Sequence, residues 1–166
     1  MLALLVQRWF PPTWGDTLEM AVDMAIVLVT AVVCGFIVGI EREKRERPAG
    51  LRTHILVCVG SAAFVHLGVT AMAIAGGEGP AGPFGTVADF NRLVQSIAMG
   101  IGFLGAGVIF RAGDHVSGIT TAASIWVMGA VGAAAGAGAV LFALAISVLT
   151  HFVLRGLRAS ESRRES

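Results

Sequence analysis

Five apolar segments divide this sequence, and their length restricts the fold more than any other feature. They cover residues 17–40, 53–75, 90–110, 119–131 and 140–157. A helix of about 20 apolar residues crosses the hydrocarbon core of a bilayer, where backbone polar groups have to be paired within the segment. Because 55% of the residues are hydrophobic and only 14% are charged, the chain is predicted to be an all-α polytopic membrane protein with five transmembrane helices.

Basic residues predict the orientation of the chain. Residues 41–52, residues 111–118 and the C-terminal end of the chain from Arg155 onward fall on one side of a five-helix arrangement and contain ten of the twelve Lys and Arg residues. Short cytosolic loops of membrane proteins are enriched in these residues, so this side is predicted to be the cytosol and the N-terminus to lie outside (N-out/C-in). The predicted organisation is a periplasmic or interfacial segment over 1–16, a transmembrane domain over 17–157 and a cytosolic tail over 158–166.

Glycines at helical spacing indicate close helix packing. They occur in the first and third apolar segments, as Gly35, Gly39, Gly100, Gly102, Gly105 and Gly107. Small residues let the backbones of membrane helices approach closely; the alternative is a broken or re-entrant helix beside a solute path. Of the two small-residue faces, the one on the third helix is expected to pack within the chain, and the one on the first helix to form a homodimer. The stretch GAAAGAGA after the fourth segment is predicted to be a tight hairpin or a helix end.

Few polar side chains interrupt the apolar segments, and five of them are candidates for a polar seam. They are Asp23, Gln95, Thr120, Thr121 and Ser124. Ionisable and polar residues inside a membrane are often functional. Alternatively, Asp23 lies at headgroup level, and the hydroxyl groups bond to carbonyls of their own helix. Asp23 and Gln95 are predicted at the outer end and the hydroxyls at the inner end, so they are expected to mark two ends of a seam.

Charged residues on the basic side predict a second cluster. Glu41, Arg52, Arg111 and Asp114 are expected to meet there at the helix ends. Burying unpaired charges is costly, so Glu41 is predicted to pair with Arg52 across the first loop. The alternative is a solvated loop whose bases contact lipid phosphates.

Chemistry that requires a cofactor or a catalytic group is not indicated. Cys34, His54 and Cys58 could approach one another as soft-metal ligands, but they lack a recognised metal-binding spacing. The sequence contains no phosphate-binding loop of the Walker type, no G-x-S-x-G elbow and no zinc motif. A net charge of +1 gives no indication of nucleic-acid binding. The chain is therefore predicted to be a non-enzymatic membrane protein without a cofactor or a bound metal.

Three ordered sequence blocks carry a family resemblance. The blocks GIEREKRERPAGLRTHILVCVGSAAF, VQSIAMGIGFLGAGVIFR and VSGITTAASIW closely resemble the MgtC/SapB family of bacterial inner-membrane proteins. The positions that match the family pattern are Gly35, Gly39, Glu41, Arg42, Ala49, Gly50, Leu51, Arg52, Thr53, Gln95, Gly100, Gly102, Gly105, Gly107, Thr120, Thr121, Ala122 and Trp126. Compared with the longer members, this chain is expected to be a short form without their soluble C-terminal domain.

The resemblance implies a role as well as a fold. It implies a five-span protein of the bacterial inner membrane that is tied to acclimation to low magnesium and, in intracellular pathogens, to survival in the host. Regulation of other membrane proteins, such as ATP synthase or a transporter, is the expected activity. The alternative is a small-solute or Mg²⁺ transporter or channel. Mg²⁺ dehydrates reluctantly and favours carboxylates. The only acids within a predicted span are Asp23 and Glu19, both near the outer end of the first one, which favours regulation.

Overall fold

Five α-helices and one β-hairpin make up the part of the chain that the computed structural model describes, residues 14–75, 87–112 and 115–156. The helices are α1 (Trp14–Lys44), α2 (Leu51–Ala75), α3 (Val87–Gly107), α4 (Ile119–Gly136) and α5 (Val140–Gly156). Strands β1 (Phe110–Ala112) and β2 (His115–Ser117) pair antiparallel between α3 and α4. The all-α prediction is thus confirmed, with one small hairpin added.

Membrane-spanning character is concentrated in three of these helices. Within the described residues, Leu18–Lys44, Leu51–Ala71 and Ile119–Gly136 are long and apolar enough to cross a bilayer. Helix Val140–Gly156 is apolar but shorter. The chain therefore has the helices of a membrane protein, while the count of five spans and the orientation stay predictions. Most of the predicted N-terminal segment and the whole predicted tail lie outside the described residues.

Two helix ends differ from the sequence-based prediction. Helix α1 continues beyond Ile40 to Lys44, because EREK contains good helix formers, and the chain turns only around Pro48. Helix α4 extends beyond Val131 to Gly136, so the first five residues of GAAAGAGA form a helix end, one of the two predicted alternatives. The turn that follows places Gly138 at a φ of 80°, a left-handed conformation that glycine adopts readily and that ends helices.

Helix α2 lies between α1 and α4, and glycines bring its backbone close to both. A Cβ atom on Gly35 would lie 2.6 Å from the Ile55 Cα. On the other side, a Cβ atom on Gly132 would overlap the Cys58 carbonyl oxygen, and one on Gly136 would overlap the Ala62 carbonyl oxygen. The main core forms around these contacts and contains Val27, Ala31, Cys34, Val38, Cys58, Ala62, Met128, Val131, Ala135 and Ala143.

The two predicted small-residue faces pack only partly as expected. Gly35 and Gly39 of α1 pack within the chain against α2, so the face expected to form a homodimer is internal. On α3, Gly105 is buried beside Ala122 of α4, as expected for a face that packs within the chain. A Cβ atom added to the other α3 glycines of this set would meet no described atom within 4 Å; they are Gly100, Gly102 and Gly107. A homodimer itself stays a prediction.

We expect Gly132→Ala to destabilise the protein by about 1–3 kcal/mol, the usual cost of overpacking a core. The added methyl group would meet backbone of α2, which cannot move aside as a flexible side chain can. Gly102→Ala is the matched control, because the same methyl group on α3 enters open space. Thermal unfolding in detergent measures both variants, and equal midpoints for the two would contradict the packing of α4 on α2.

Candidate functional site

The turn between α1 and α2 is held by three specific contacts. The Leu51 N–H, at the start of α2, donates to the Glu43 carboxylate at 2.9 Å. Gly50 leaves room for this contact, because a Cβ atom there would overlap the Glu43 carboxylate. Ala49 is buried against Ile101 of α3 and Ile125 of α4. The PAGL sequence therefore anchors the turn to two helices beyond its own pair.

A buried ion cluster closes the end of α1 beside this turn. Glu41 is 6% exposed and Arg42 is 3% exposed, and the Arg42 Nε donates to the Glu41 Oε2 at 2.5 Å. Arg45, the residue directly after the end of α1, forms an ion pair with the Glu41 Oε1. The carboxylate is thus compensated by two guanidinium groups that lie within four residues of it in the chain. A buried charge paired in this way is stable only while both partners are present.

His54 connects the first turn of α2 to α4. Its ring is fully buried, with Nδ1 2.8 Å from the Gly50 carbonyl oxygen and Nε2 3.0 Å from the Ser124 Oγ. Because a carbonyl only accepts hydrogen bonds, Nδ1 carries the proton and Nε2 of the neutral ring is the acceptor. The Ser124 hydroxyl also lies 2.8 Å from the Thr121 carbonyl oxygen. Its single hydrogen is therefore shared between the His54 Nε2 and the Thr121 carbonyl oxygen. These buried hydrogen bonds join α2 to α4.

Similarity to known proteins covers most of the chain that builds these clusters. A sequence profile described as the MgtC family matches residues 28–163. The chain belongs to the MgtC family. Residues 28–163 include Glu41, Arg42, His54 and Ser124, so both buried polar clusters lie within the family domain.

Curated relatives in the MgtC family share almost two fifths of the aligned residues. Protein MgtC of Brucella abortus is 38% identical over 147 residues, which are 84% of this chain and 56% of that protein. Protein SrpB of Synechococcus elongatus is 39% identical over 139 residues (79% and 72%), and Protein MgtC of Salmonella typhimurium is 38% identical over 122 residues (74% and 47%). The chain thus spans about half the length of the MgtC proteins it matches. No solved structure matches it significantly.

The five residues of the predicted polar seam occupy different environments in this MgtC-family chain. Thr121 and Ser124 are buried between helices, whereas Asp23, Gln95 and Thr120 are exposed. The structure therefore gathers only Thr121 and Ser124 into a buried polar group, and they join His54.

The predicted charge cluster is also arranged differently. Glu41 pairs with Arg42 and Arg45, whereas Arg52 is exposed on α2. The predicted Glu41–Arg52 pair is thus replaced by pairs at the end of α1, because α1 continues far enough to bring Arg45 one turn beyond Glu41. Arg111 is exposed in β1, and Asp114 lies outside the described residues.

The conceivable metal ligands separate into two groups. Cys34 and Cys58 are free thiols in the main core, while both ring nitrogens of His54 are engaged with Gly50 and Ser124. Within the described ranges, no group of three His, Cys, Asp or Glu side chains is arranged to hold a metal ion. The sequence analysis considered His54 only as a metal ligand, and no spacing could show its link to Ser124, 70 residues away.

We expect Ser124→Ala to cost about 1–3 kcal/mol of stability, since it leaves the buried Nε2 of His54 without a partner. In His54→Leu the Gly50 carbonyl oxygen keeps a donor, because the backbone N–H of residue 54 also bonds to it. The double variant removes both partners of the His54–Ser124 bond, so its loss of stability is expected to be clearly smaller than the sum of the two single losses. Thr120→Val, an exposed hydroxyl on the same helix, should be additive with His54→Leu. Additive losses for the Ser124 pair would contradict the bond.

We expect Glu41→Gln to cost about 3 kcal/mol, because it leaves the buried guanidinium of Arg42 without its charged partner. Arg52→Gln should leave the thermal midpoint almost unchanged, since Arg52 is exposed. Both variants are measured by thermal unfolding in the same detergent. An equally large loss of stability for Arg52→Gln would support the predicted Glu41–Arg52 pair across the turn, which the structure replaces by the pairs with Arg42 and Arg45.

Proposed function

We propose that this MgtC-family protein acts in the bacterial inner membrane as a regulator of other membrane proteins during acclimation to low magnesium. The family membership supports the link to magnesium. The structural observation that supports regulation over transport is the state of Glu41, whose buried carboxylate is compensated by Arg42 and Arg45. The orientation N-out/C-in belongs to the proposal and rests on the distribution of basic residues.

A Mg²⁺ path would require oxygen ligands of a different kind. Mg²⁺ gives up its water slowly and is bound by carboxylates in near-octahedral geometry. Glu41 carries two arginines against its oxygens, and these cations would repel an approaching divalent ion. Asp23 is exposed on the outer surface of α1 rather than turned into the bundle. The carboxylates of the described helices are thus poorly placed to line a route for Mg²⁺.

The surface that fits a regulatory contact lies on α3. Gln95, Met99 and Phe103 follow one another at intervals of four residues, so they share one face of the helix. Met99 is 73% exposed and Phe103 is 82% exposed. Gly102 lies on the same side and is open to close approach, and an exposed amide such as that of Gln95 can bond across to another membrane helix. The proposed partner of this face is a helix of a transporter or of ATP synthase.

The proposal is tested by a measurement of Mg²⁺ flux and by a growth assay at low magnesium. Purified protein in proteoliposomes is expected to show no Mg²⁺ flux, and a strain that depends on this protein is expected to lose growth at low magnesium when it carries Gln95→Leu. Ser96→Ala is the matched control, because the Ser96 hydroxyl already bonds to the Arg92 carbonyl of its own helix at 2.8 Å. Both variants should reach the membrane in wild-type amounts.

One result would reject the regulatory role, and a second would reject the proposed contact surface. Saturable Mg²⁺ flux by the protein alone would make it a transporter. Wild-type growth of the Gln95→Leu strain would exclude this face of α3 as the contact surface.

A further inference from the structure

An apolar groove runs between α2 and α3, on the side of α3 opposite the face that contains Gln95. Leu56, Gly60 and Phe64 of α2 line one wall, and Ile97, Gly100 and Leu104 of α3 line the other. Its volume is about 490 Å³. Ser96, one of the two hydroxyl residues in the lining, bonds to its own helix. The groove therefore offers a binding surface for hydrocarbon.

The groove stays open because glycines stand in both walls. A Cβ atom added to Gly60 or to Gly100 would meet no described atom within 4 Å. Larger residues at these two positions would fill the space without colliding with backbone. The absence of these two side chains thus adds to the width of the groove.

The dimensions fit the acyl chains of a lipid. The lining residues of α2 extend over eight residue steps, or about 12 Å at 1.5 Å per residue. Carbon atoms in contact lie about 3.5–4.0 Å apart, so an extended methylene chain has a cross-section of about 20 Å² or less. The groove therefore has room for the two chains of one lipid.

A positive charge stands at one end of the groove. Arg52, Leu56, Gly60 and Phe64 follow at intervals of four residues, so Arg52 lies on the groove face of α2, one turn beyond the lining. Its side chain is exposed, in contrast to Arg42 and Arg45, which are engaged with Glu41. The apolar surface therefore ends at a guanidinium group at the start of the span.

A second arginine lies on the turn that borders the same end. Ala49 of this turn packs against Ile101, which also lines the groove. Two residues earlier, the Nε of Arg47 is buried and has no hydrogen-bond partner among the described residues. Guanidinium groups bind phosphate through several N–H donors at once. The end of the groove thus has the exposed guanidinium of Arg52 and, in the adjoining turn, a second arginine.

We propose that the α2–α3 groove is a binding site for an anionic phospholipid. The acyl chains lie between Gly60 and Gly100, and the phosphate pairs with Arg52 beside Arg47. The lipid occupies the leaflet that adjoins the turn between α1 and α2. This site is independent of the regulatory role proposed above, because it uses the opposite face of α3.

The test measures lipid binding to the full chain in detergent by native mass spectrometry. Phosphatidylglycerol and phosphatidylcholine with identical acyl chains are titrated separately. Wild-type protein is expected to bind phosphatidylglycerol about fivefold more tightly or better, the preference that one basic residue gives near a membrane surface. Arg52→Gln should reduce this preference strongly and leave binding of phosphatidylcholine unchanged. Inorganic phosphate at equal concentration should not compete, because it lacks the chains.

Substitutions in the groove distinguish the contribution of the acyl chains to binding from that of the headgroup. Gly100→Leu fills the groove and is expected to weaken binding of both lipids, and Gly60→Leu should do the same from the other wall. Gly102→Leu is the matched control, since it adds the same side chain to the same helix on the opposite face. Wild-type thermal midpoints establish that each variant is folded.

Three results would overturn the proposal. Equal affinity of the wild-type protein for the two lipids would remove the role of the arginines. Unchanged lipid binding in both Gly60→Leu and Gly100→Leu would show that the acyl chains do not bind in the groove. A wild-type dimer that dissociates in Gly100→Leu but persists in Gly102→Leu would show that the groove binds a second copy of this chain.

Discussion

The close approach of α2 to helices on both sides is the contact on which the rest of this bundle depends. Gly35 and Gly39 bring α1 against it, and Gly132 and Gly136 bring α4 against it from the opposite direction. Lipid chains are as apolar as leucine, so helices in a membrane gain little by hiding leucine side chains from lipid. Dispersion contacts between backbones at short range supply the attraction instead. The order α1–α2–α4 then fixes which polar groups can meet.

Both buried polar clusters occupy the end of the bundle where α1 turns into α2. The ion cluster around Glu41 lies at the end of α1, and His54 lies in the first turn of α2. Ion pairs in such surroundings add specificity more than net stability, because desolvation of the charges offsets much of their attraction. Their effect is to define a single arrangement of the α1–α2 turn, to which the Glu43 cap on Leu51 also contributes.

Much of the architecture could be predicted from the sequence, because long apolar runs and their breaks determine where helices form. The glycines of α1 were recognised as packing residues, but one sequence does not show which helix faces them. The Glu41–Arg52 pair was predicted on the assumption that α1 ended at Ile40; four more helical residues brought Arg45 beside Glu41 instead. The bond between His54 and Ser124 depends on the relative height of α2 and α4, which Gly132 and Gly136 set through contacts far along the chain.

The way α3 is attached gives the molecule an uneven response to bilayer thickness. Helices α1, α2 and α4 meet at distances that leave no room for a Cβ atom on their contact glycines. Helix α3 contacts its neighbours through the flexible side chains of Leu93 and Ile101, and its Gly105 has room for a Cβ atom beside Ala122. Hydrophobic mismatch is relieved by helix tilt at a cost of fractions of a kcal/mol per Å. Tilting α1 or α4 would press glycine positions into the α2 backbone, whereas tilting α3 meets looser contacts. On the prediction that α3 spans the membrane, a thinner or thicker bilayer is accommodated first by the angle of α3.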